Sequence, residues 1–498
     1  MANKLMSSTS VPDTSQIIEV DQRKTKSKNL KGWIVFGVVM IALLGSGVLM
    51  LLVEASQMIG LLAIVMMLCL IFLKVPVAFA MIIPSLLGMY VLRGSALVEG
   101  QLATVPYSEV ASWSLSVVPL FILMGLLIWR AGLSRDIFQA AGSVFGWVPG
   151  GLAVGTNLAG TGLGAVSGST LGTTYALARA AIPEMLRAGY NKTQAIGSVI
   201  VAGLPGQLIP PSILLVIYAG IAETPVGPQL LAGVGPGLLV SACFVLALMA
   251  YSWFVSPDRG IIKSSETAKQ RVQKVLKIWP VPVLILVIVG GMFSGIFTAT
   301  EAAAFATIIA LVVTFIWKRK GGAWLAVSQA TISAIASVGA IFLMLVGVGL
   351  LSQMFTLTGI SQAFADIVQE ANLDRTSFLL VMMVVYILLG TFMEPLAMMV
   401  LTIPILIPTL EMLDVSMLWY GAFSVLMAEI AIVTPPVGIL SFIIHQITKD
   451  PEVNQGHKIS LNDIFKAAIV MLPVAVFVAV ILILVPEIST WLPDLGSA

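Results

Sequence analysis

Three stretches of this chain carry residue types whose spacing suits the holding of a ligand. GAVSGST, Gly164 to Thr170, combines glycines that permit a non-helical backbone and close approach with the hydroxyl oxygens of Ser167, Ser169 and Thr170. Such a tip can hold a hard cation or a carboxylate, although small-residue helix packing uses the same composition. GLPGQLIPPS, Gly203 to Ser212, places two glycines and three prolines inside an otherwise apolar run. Each proline removes a backbone donor and frees a carbonyl. EIAIVTPPVG, Glu429 to Gly438, repeats that pattern later in the chain. The acids within apolar sequence are Glu301, Glu394 and Glu429. A carboxylate buried in lipid costs several kcal/mol unless it is paired, protonated or bound to a cation, so each is a candidate. Glu301 also fits a capping box with Thr298 or Thr300. Glu394 is the stronger candidate.

Bond-making chemistry finds little support. Cys69 and Cys243 lie in apolar runs without a neighbouring thiol or histidine, which fits two buried small side chains. His445 and His457 are expected at the membrane surface, and a pair alone is a poor metal site. No Ser-Lys, Ser-His or paired-Asp constellation is visible within the apolar segments, which weighs against an intramembrane enzyme. The chain has 498 residues, 58% apolar and 10% charged, with net charge +2 and mean hydropathy +1.04. Soluble domains carry far more charge, so this is expected to be an all-α polytopic membrane protein without nucleic-acid partners.

The elements that must position these motifs follow from Lys and Arg near helix ends, which mark the cytoplasmic face. Residues 1–31 form a polar tail expected in the cytoplasm, and 32–57 carry an uncleaved extra N-terminal helix. The remainder, 58–493, is expected to form the functional domain. Helices are expected near 58–73, 76–93, 116–130, 193–221, 229–255, 277–293, 299–317, 323–354, 415–446 and 463–486. With the N-terminal helix these make eleven spans, and the C-terminus falls outside. Segment 151–186 begins after Arg135 and ends at Arg187 and Lys192, so both ends fall inside and it reads as a re-entrant hairpin. Segment 376–414, flanked by Arg375, Glu411 and Asp414, reads as a second hairpin opening the other way. Such backbone is tolerated at membrane depth only where protein or a wet cavity covers it.

A shift of 225 positions places Ile182-Pro183 on Ile407-Pro408 and Pro210-Pro211 on Pro435-Pro436. The charge pattern gives the two copies opposite orientations, which defines an inverted repeat. Secondary transporters use this plan to hold substrate and ions between discontinuous helices. The expected site therefore combines Ser167, Gly168, Ser169, Pro210, Pro211, Ser212, Thr434, Pro435, Pro436 and Gly438, with Thr391 and Glu394 at the second hairpin.

GAVSGST, Ile182 to Met185 with Gly189-Tyr190, Leu208 to Ile213, Ala232 to Gly237, Thr298 to Ala304, Gly390 to Pro395 and Thr434 to Gly438 together resemble the large membrane subunit of tripartite ATP-independent periplasmic (TRAP) transporters. The resemblance covers about 58–493. It implies sodium-driven uptake of a small organic acid such as a dicarboxylate across a bacterial-type inner membrane. It also implies an elevator-type movement, a small four-helix membrane subunit supplied as a separate chain, and a periplasmic substrate-binding protein. Sodium ions are the coupling ions, and no other cofactor is expected. Ser169, Thr391, Glu394 and Thr434 are then candidate sodium ligands, with Thr298, Glu301 and Glu429 as further candidates. Glu394 stands where the family often has Asp, and Ala431 where a Gly usually precedes the break. The rival reading is a self-sufficient sodium- or proton-coupled dicarboxylate symporter of related inverted-repeat fold.

Overall fold

In lipid, a backbone must satisfy its own polar groups, and an apolar chain does so most simply as helices. A computed structural model describes residues 33, 35–148, 150–255, 267–436 and 438–496, and all its regular elements are helical. The tail expected over 1–31, Arg259 and Lys263 of the basic loop, and Val437 within the second break lie outside the described residues.

Seven of the described helices are long and apolar enough to cross a bilayer: Val35–Leu52, Trp113–Ala131, Val226–Phe254, Ala299–Trp317, Ala323–Thr358, Pro395–Met412 and Leu461–Leu484. Ser56–Phe72, Val77–Arg93, Arg375–Gly390 and Met417–Val433 are shorter apolar helices, and Ala268–Lys277 meets Pro280–Phe293 at a 40° bend. This is a multi-pass membrane protein. Length and apolarity select a different set from the charge pattern, because a hairpin leg such as Pro395–Met412 is long and apolar enough to pass for a span, while several expected spans are shorter helices. Helices over Ser95–Val110, Leu133–Phe145, Ile360–Glu370 and Glu487–Gly496 were not anticipated. Leu133–Phe145, Ile360–Glu370 and Glu487–Gly496 are amphipathic, and their polar faces lower the hydropathy without preventing helix formation, whereas the polar residues of Ser95–Val110 are spread around the helix.

The segment expected as the first hairpin consists of Gly151–Ser167 and Thr170–Arg187, and the second of Arg375–Gly390 and Pro395–Met412. Adding 225 to Thr170–Arg187 gives 395–412, the bounds of its counterpart helix. The run expected at 193–221 is interrupted, as its glycines and prolines demand: Lys192–Ala202 and Ile213–Ile221 flank a stretch with one short 3-10 turn, Pro205–Gln207. Met417–Val433 and Ile439–Ile447 flank the second break. Against these elements stands the 36-residue helix Ala323–Thr358, packed on Val77–Arg93, Ser95–Val110 and Val117–Ala131. The N-terminal helix Val35–Leu52 buries only Ser46 and Met50.

Candidate ligand-binding site

Gly168 ends the first hairpin leg with φ +60°, a left-handed backbone in which its N–H donates to the Gly164 carbonyl at 2.8 Å. A Cβ there would lie 2.9 Å from Ile213 Cδ1, so conformation and space both require glycine. Ser169 begins the next leg, its Oγ accepting from the Gly172 N–H at 3.2 Å. Ser167 Oγ accepts from the Ser169 N–H at 3.4 Å and shares a hydrogen bond with Thr173 at 3.2 Å. Ser167 and Ser169 also line a largely apolar cavity of about 210 Å³ beside Gly125 and Trp129.

The tip is clamped by Gln207. With its carboxamide oriented so that the nitrogen faces Gly168, Gln207 donates to the Gly168 carbonyl at 3.2 Å, and its oxygen accepts from the N–H groups of Ser169 at 2.8 Å and Thr170 at 3.1 Å. Thr170 Oγ1 donates to Glu429 Oε2 at 2.6 Å, inside the protein. The first hairpin tip is therefore bound to the first broken helix through Gln207 and to the second through Glu429. Pro210, Pro211 and Ser212 are buried beside it, and Ser212 Oγ caps Ile213–Ile221 by accepting from the Leu215 N–H at 3.2 Å.

The second hairpin meets the second broken helix through a backbone contact: a Cβ on Gly390 would overlap Ala431, approaching its Cα to 2.8 Å. Under the 225 shift, Gly390 corresponds to Ala165 and Ala431 to Gly206. A Cβ on Gly206 would lie 2.6 Å from the Ala165 nitrogen. Each copy thus places glycine on one side of this contact and alanine on the other, in reciprocal order, and the alanine at 431 is accommodated by Gly390. Tyr386 joins the two legs of this hairpin by a hydrogen bond shared with Thr402 at 3.0 Å and ties it to the second broken helix by another shared with Tyr420 at 2.9 Å.

Thr391 Oγ1 donates to the Leu388 carbonyl at 2.7 Å, and Thr434 Oγ1 to Ile430 at 2.8 Å. A hydroxyl whose proton is so engaged keeps its lone pairs for a cation. Pro435 and Pro436 follow Thr434, and Gly438 returns its N–H to the Thr434 carbonyl at 3.1 Å. Glu394 sits at the N-terminus of Pro395–Met412, exposed, without capping that helix through its side chain. No hydrogen bond joins Thr391 or Glu394 to Ser167–Thr170 among the described residues. Glu301 lies apart from the hairpins: its carboxylate accepts from the Thr298 N–H at 2.8 Å and from the Thr298 hydroxyl at 2.9 Å, completing a capping box for Ala299–Trp317. The deeply buried acid is Glu429, not Glu394. Gln207 was missed, although a lone amide inside an apolar, proline-broken run carries the same signal as a lone acid, because it must find partners.

A larger cavity of about 1,050 Å³ adjoins the small one through the shared residues Ser134 and Ala176. Arg135, Arg179, Arg187 and Lys274 line it with Glu184, Asp450 and Glu452. Arg187 pairs with Glu184 at 2.6 Å and Arg179 with Asp450 at 3.7 Å.

Residues 64–488 match the family profile of the tripartite ATP-independent periplasmic transporter, DctM component. The C4-dicarboxylate TRAP transporter large permease protein DctM of Pseudomonas aeruginosa is 32% identical over 391 residues, covering 77% of this chain and 86% of that protein. The sialic acid TRAP transporter large permease protein SiaM of Vibrio cholerae is 30% identical, covering 86% and 96%. The ectoine TRAP transporter large permease protein TeaC of Halomonas elongata is 30% identical, covering 84% and 96%. Among solved structures, the YdaH transporter of Alcanivorax borkumensis shares the fold with a TM-score of 0.56 at 14% identity, over 80% of this chain and 89% of that one. MtrF of Neisseria gonorrhoeae gives 0.55 at 11%, over 78% and 84%.

Proposed function

This chain belongs to the DctM component family of the tripartite ATP-independent periplasmic transporters, as a large permease subunit and not an enzyme, and from that premise we propose that it imports a small organic acid, such as a dicarboxylate, by sodium symport. A separate small four-helix membrane subunit and a periplasmic binding protein complete the system in the inner membrane, with the N-terminus in the cytoplasm and the C-terminus in the periplasm. The observation that carries the reading is the attachment of the first hairpin tip to both broken helices, through Gln207 and through the 2.6 Å bond from Thr170 to Glu429. A site built on such a junction can change its exposure when the junction moves as a body, which suits an elevator-type mechanism.

The substrate's carboxylate is assigned to the hydroxyls and amides around Ser167, Gly168, Ser169 and Pro210 to Ser212, together with the break from Thr434 to Gly438. Sodium is assigned to oxygen ligands at Ser169, Thr391, Glu394 and Thr434, where the hydroxyl protons of Thr391 and Thr434 are engaged by backbone carbonyls, leaving lone pairs available, and one carboxylate supplies charge. The inverted repeat is supported by the helix bounds under the 225 shift. It is supported also by charge: Leu133–Phe145 carries Arg135 with Asp136, whereas its counterpart Ile360–Glu370 carries only Asp366 and Glu370. The relatives named above carry C4-dicarboxylates, sialic acid and ectoine, so the binding protein is assigned the choice of substrate.

The test is reconstitution into liposomes with the small subunit and binding protein, using succinate as probe. Accumulation against a gradient should require an inward sodium gradient and all three proteins. Full uptake by this chain alone would replace the reading with the self-sufficient symporter, and uptake indifferent to sodium would remove sodium coupling. Glu394→Gln should weaken the sodium dependence, and an unchanged dependence would remove Glu394 from the ion site.

A further inference from the structure

The bend between Ala268–Lys277 and Pro280–Phe293 has a use that transport does not assign. Ala268–Lys277, AKQRVQKVLK, carries four cations and no acid, begins on a Thr267–Gln270 capping box and buries none of its residues. At 100° per residue, Val272, Val275 and Leu276 form one apolar stripe, with Lys269 and Arg271 flanking it on either side. The stripe is open: Val272 is 56% and Leu276 63% exposed. Packed against Leu133–Phe145, this helix leaves a groove of about 350 Å³ lined by Ser143, Val144, Arg271, Val272, Val275 and Leu276. Within it the Arg271 Nε is buried without a hydrogen-bond partner among the described residues. An exposed tryptophan follows each of the two helices that form the groove, Trp147 two residues after Leu133–Phe145 and Trp279 two residues after Ala268–Lys277, a residue type favoured at the level of lipid headgroups.

We propose that this groove holds an anionic phospholipid of the inner leaflet, its phosphate on Arg271 and Lys269 and an acyl chain along Val144, Val272, Val275 and Leu276. The apolar stripe demands a hydrocarbon partner. Lys269 and Arg271, on a helix that carries no acid, and the Arg271 Nε without a hydrogen-bond partner among the described residues call for an anion beside it, and a phospholipid offers both in one molecule. The assignment to the inner leaflet rests on the charge pattern of the proposed topology. Opposite this stripe, Lys274 lines the large polar cavity, so a lipid here would fix the helix that forms one wall of that cavity.

Native mass spectrometry of the purified full chain, titrated with phosphatidylglycerol and with phosphatidylcholine, tests the proposal. Two basic residues at an anionic headgroup should favour phosphatidylglycerol by about thirtyfold. That preference should vanish in the Lys269→Gln, Arg271→Gln double variant, which alters no buried residue of this helix. Val272→Asp should weaken both lipids, and glycerol phosphate should not displace the bound lipid. Equal binding of the two lipids, an unchanged preference in the double variant, or displacement by glycerol phosphate would each overturn the proposal.

Discussion

Gln207 does at the hairpin tip what a helix cap cannot, serving one carbonyl and two N–H groups of a turn that has left helical geometry. Gln207→Leu preserves size but leaves those backbone groups unpaired, at about 1–3 kcal/mol each. Uptake should fall at least tenfold in a variant that still inserts, on the order of the 1.4 kcal/mol that separates a decade. Gln207→Glu should be intermediate, because a carboxylate can accept from Ser169 and Thr170 but cannot donate to Gly168. Uptake assays with matched surface expression check both, and normal transport by the leucine variant would show that the clamp is dispensable. Thr170 and Glu429 form the second tie. A double-mutant cycle of Thr170→Val and Glu429→Gln, read as sodium affinity, should show a coupling of about 1–3 kcal/mol, with Thr170→Ser close to the parent. Additive effects would mean that the hydrogen bond does not transmit to the site.

Between elements, the contact that matters is backbone against backbone. Gly206 admits Ala165 in one copy and Gly390 admits Ala431 in the other. Since two methyl groups cannot occupy one gap, Gly390→Ala should abolish uptake and lower thermal stability, in the range of about 1–3 kcal/mol typical of overpacking. Ala431→Gly should be tolerated, because it empties the same gap, and the double variant Gly390→Ala, Ala431→Gly should recover much of the loss. Thermal shift and uptake measured on the three variants decide this, and failure of the double variant to recover would show that the two sides are not interchangeable. The reciprocity also explains why Ala431, which looked like a departure from the family pattern in sequence, causes no conflict in the fold.

At the scale of the whole molecule, the two cavities joined at Ser134 and Ala176 run from a charged mouth to the hairpin tip. If that mouth faces the cytoplasm, Ala176→Cys should react with a membrane-impermeant maleimide added from the cytoplasmic side of inverted vesicles and not from the periplasmic side of spheroplasts. Labelling from the periplasmic side alone would reverse the proposed orientation. Much of this plan was legible in the chain before folding. Two proline pairs, a glycine-rich tip and apolar runs with few charges determine helices, breaks and turns, because these depend on backbone conformation and on the absence of water as a hydrogen-bond partner. The polar-faced helices escaped notice since hydropathy averages over both faces, as Ile360–Glu370 shows. The capping role of Glu301 was open to a local reading because its partner, Thr298, lies three residues away. By itself, the sequence determined that this protein is a helical membrane permease with paired breaks. Only the tertiary structure decided that Glu429, and not Glu394, is the enclosed acid, and that it meets Thr170, 259 residues distant. Burial of an ionic group is a property of what packs around it, and no local pattern encodes a neighbour so far along the chain.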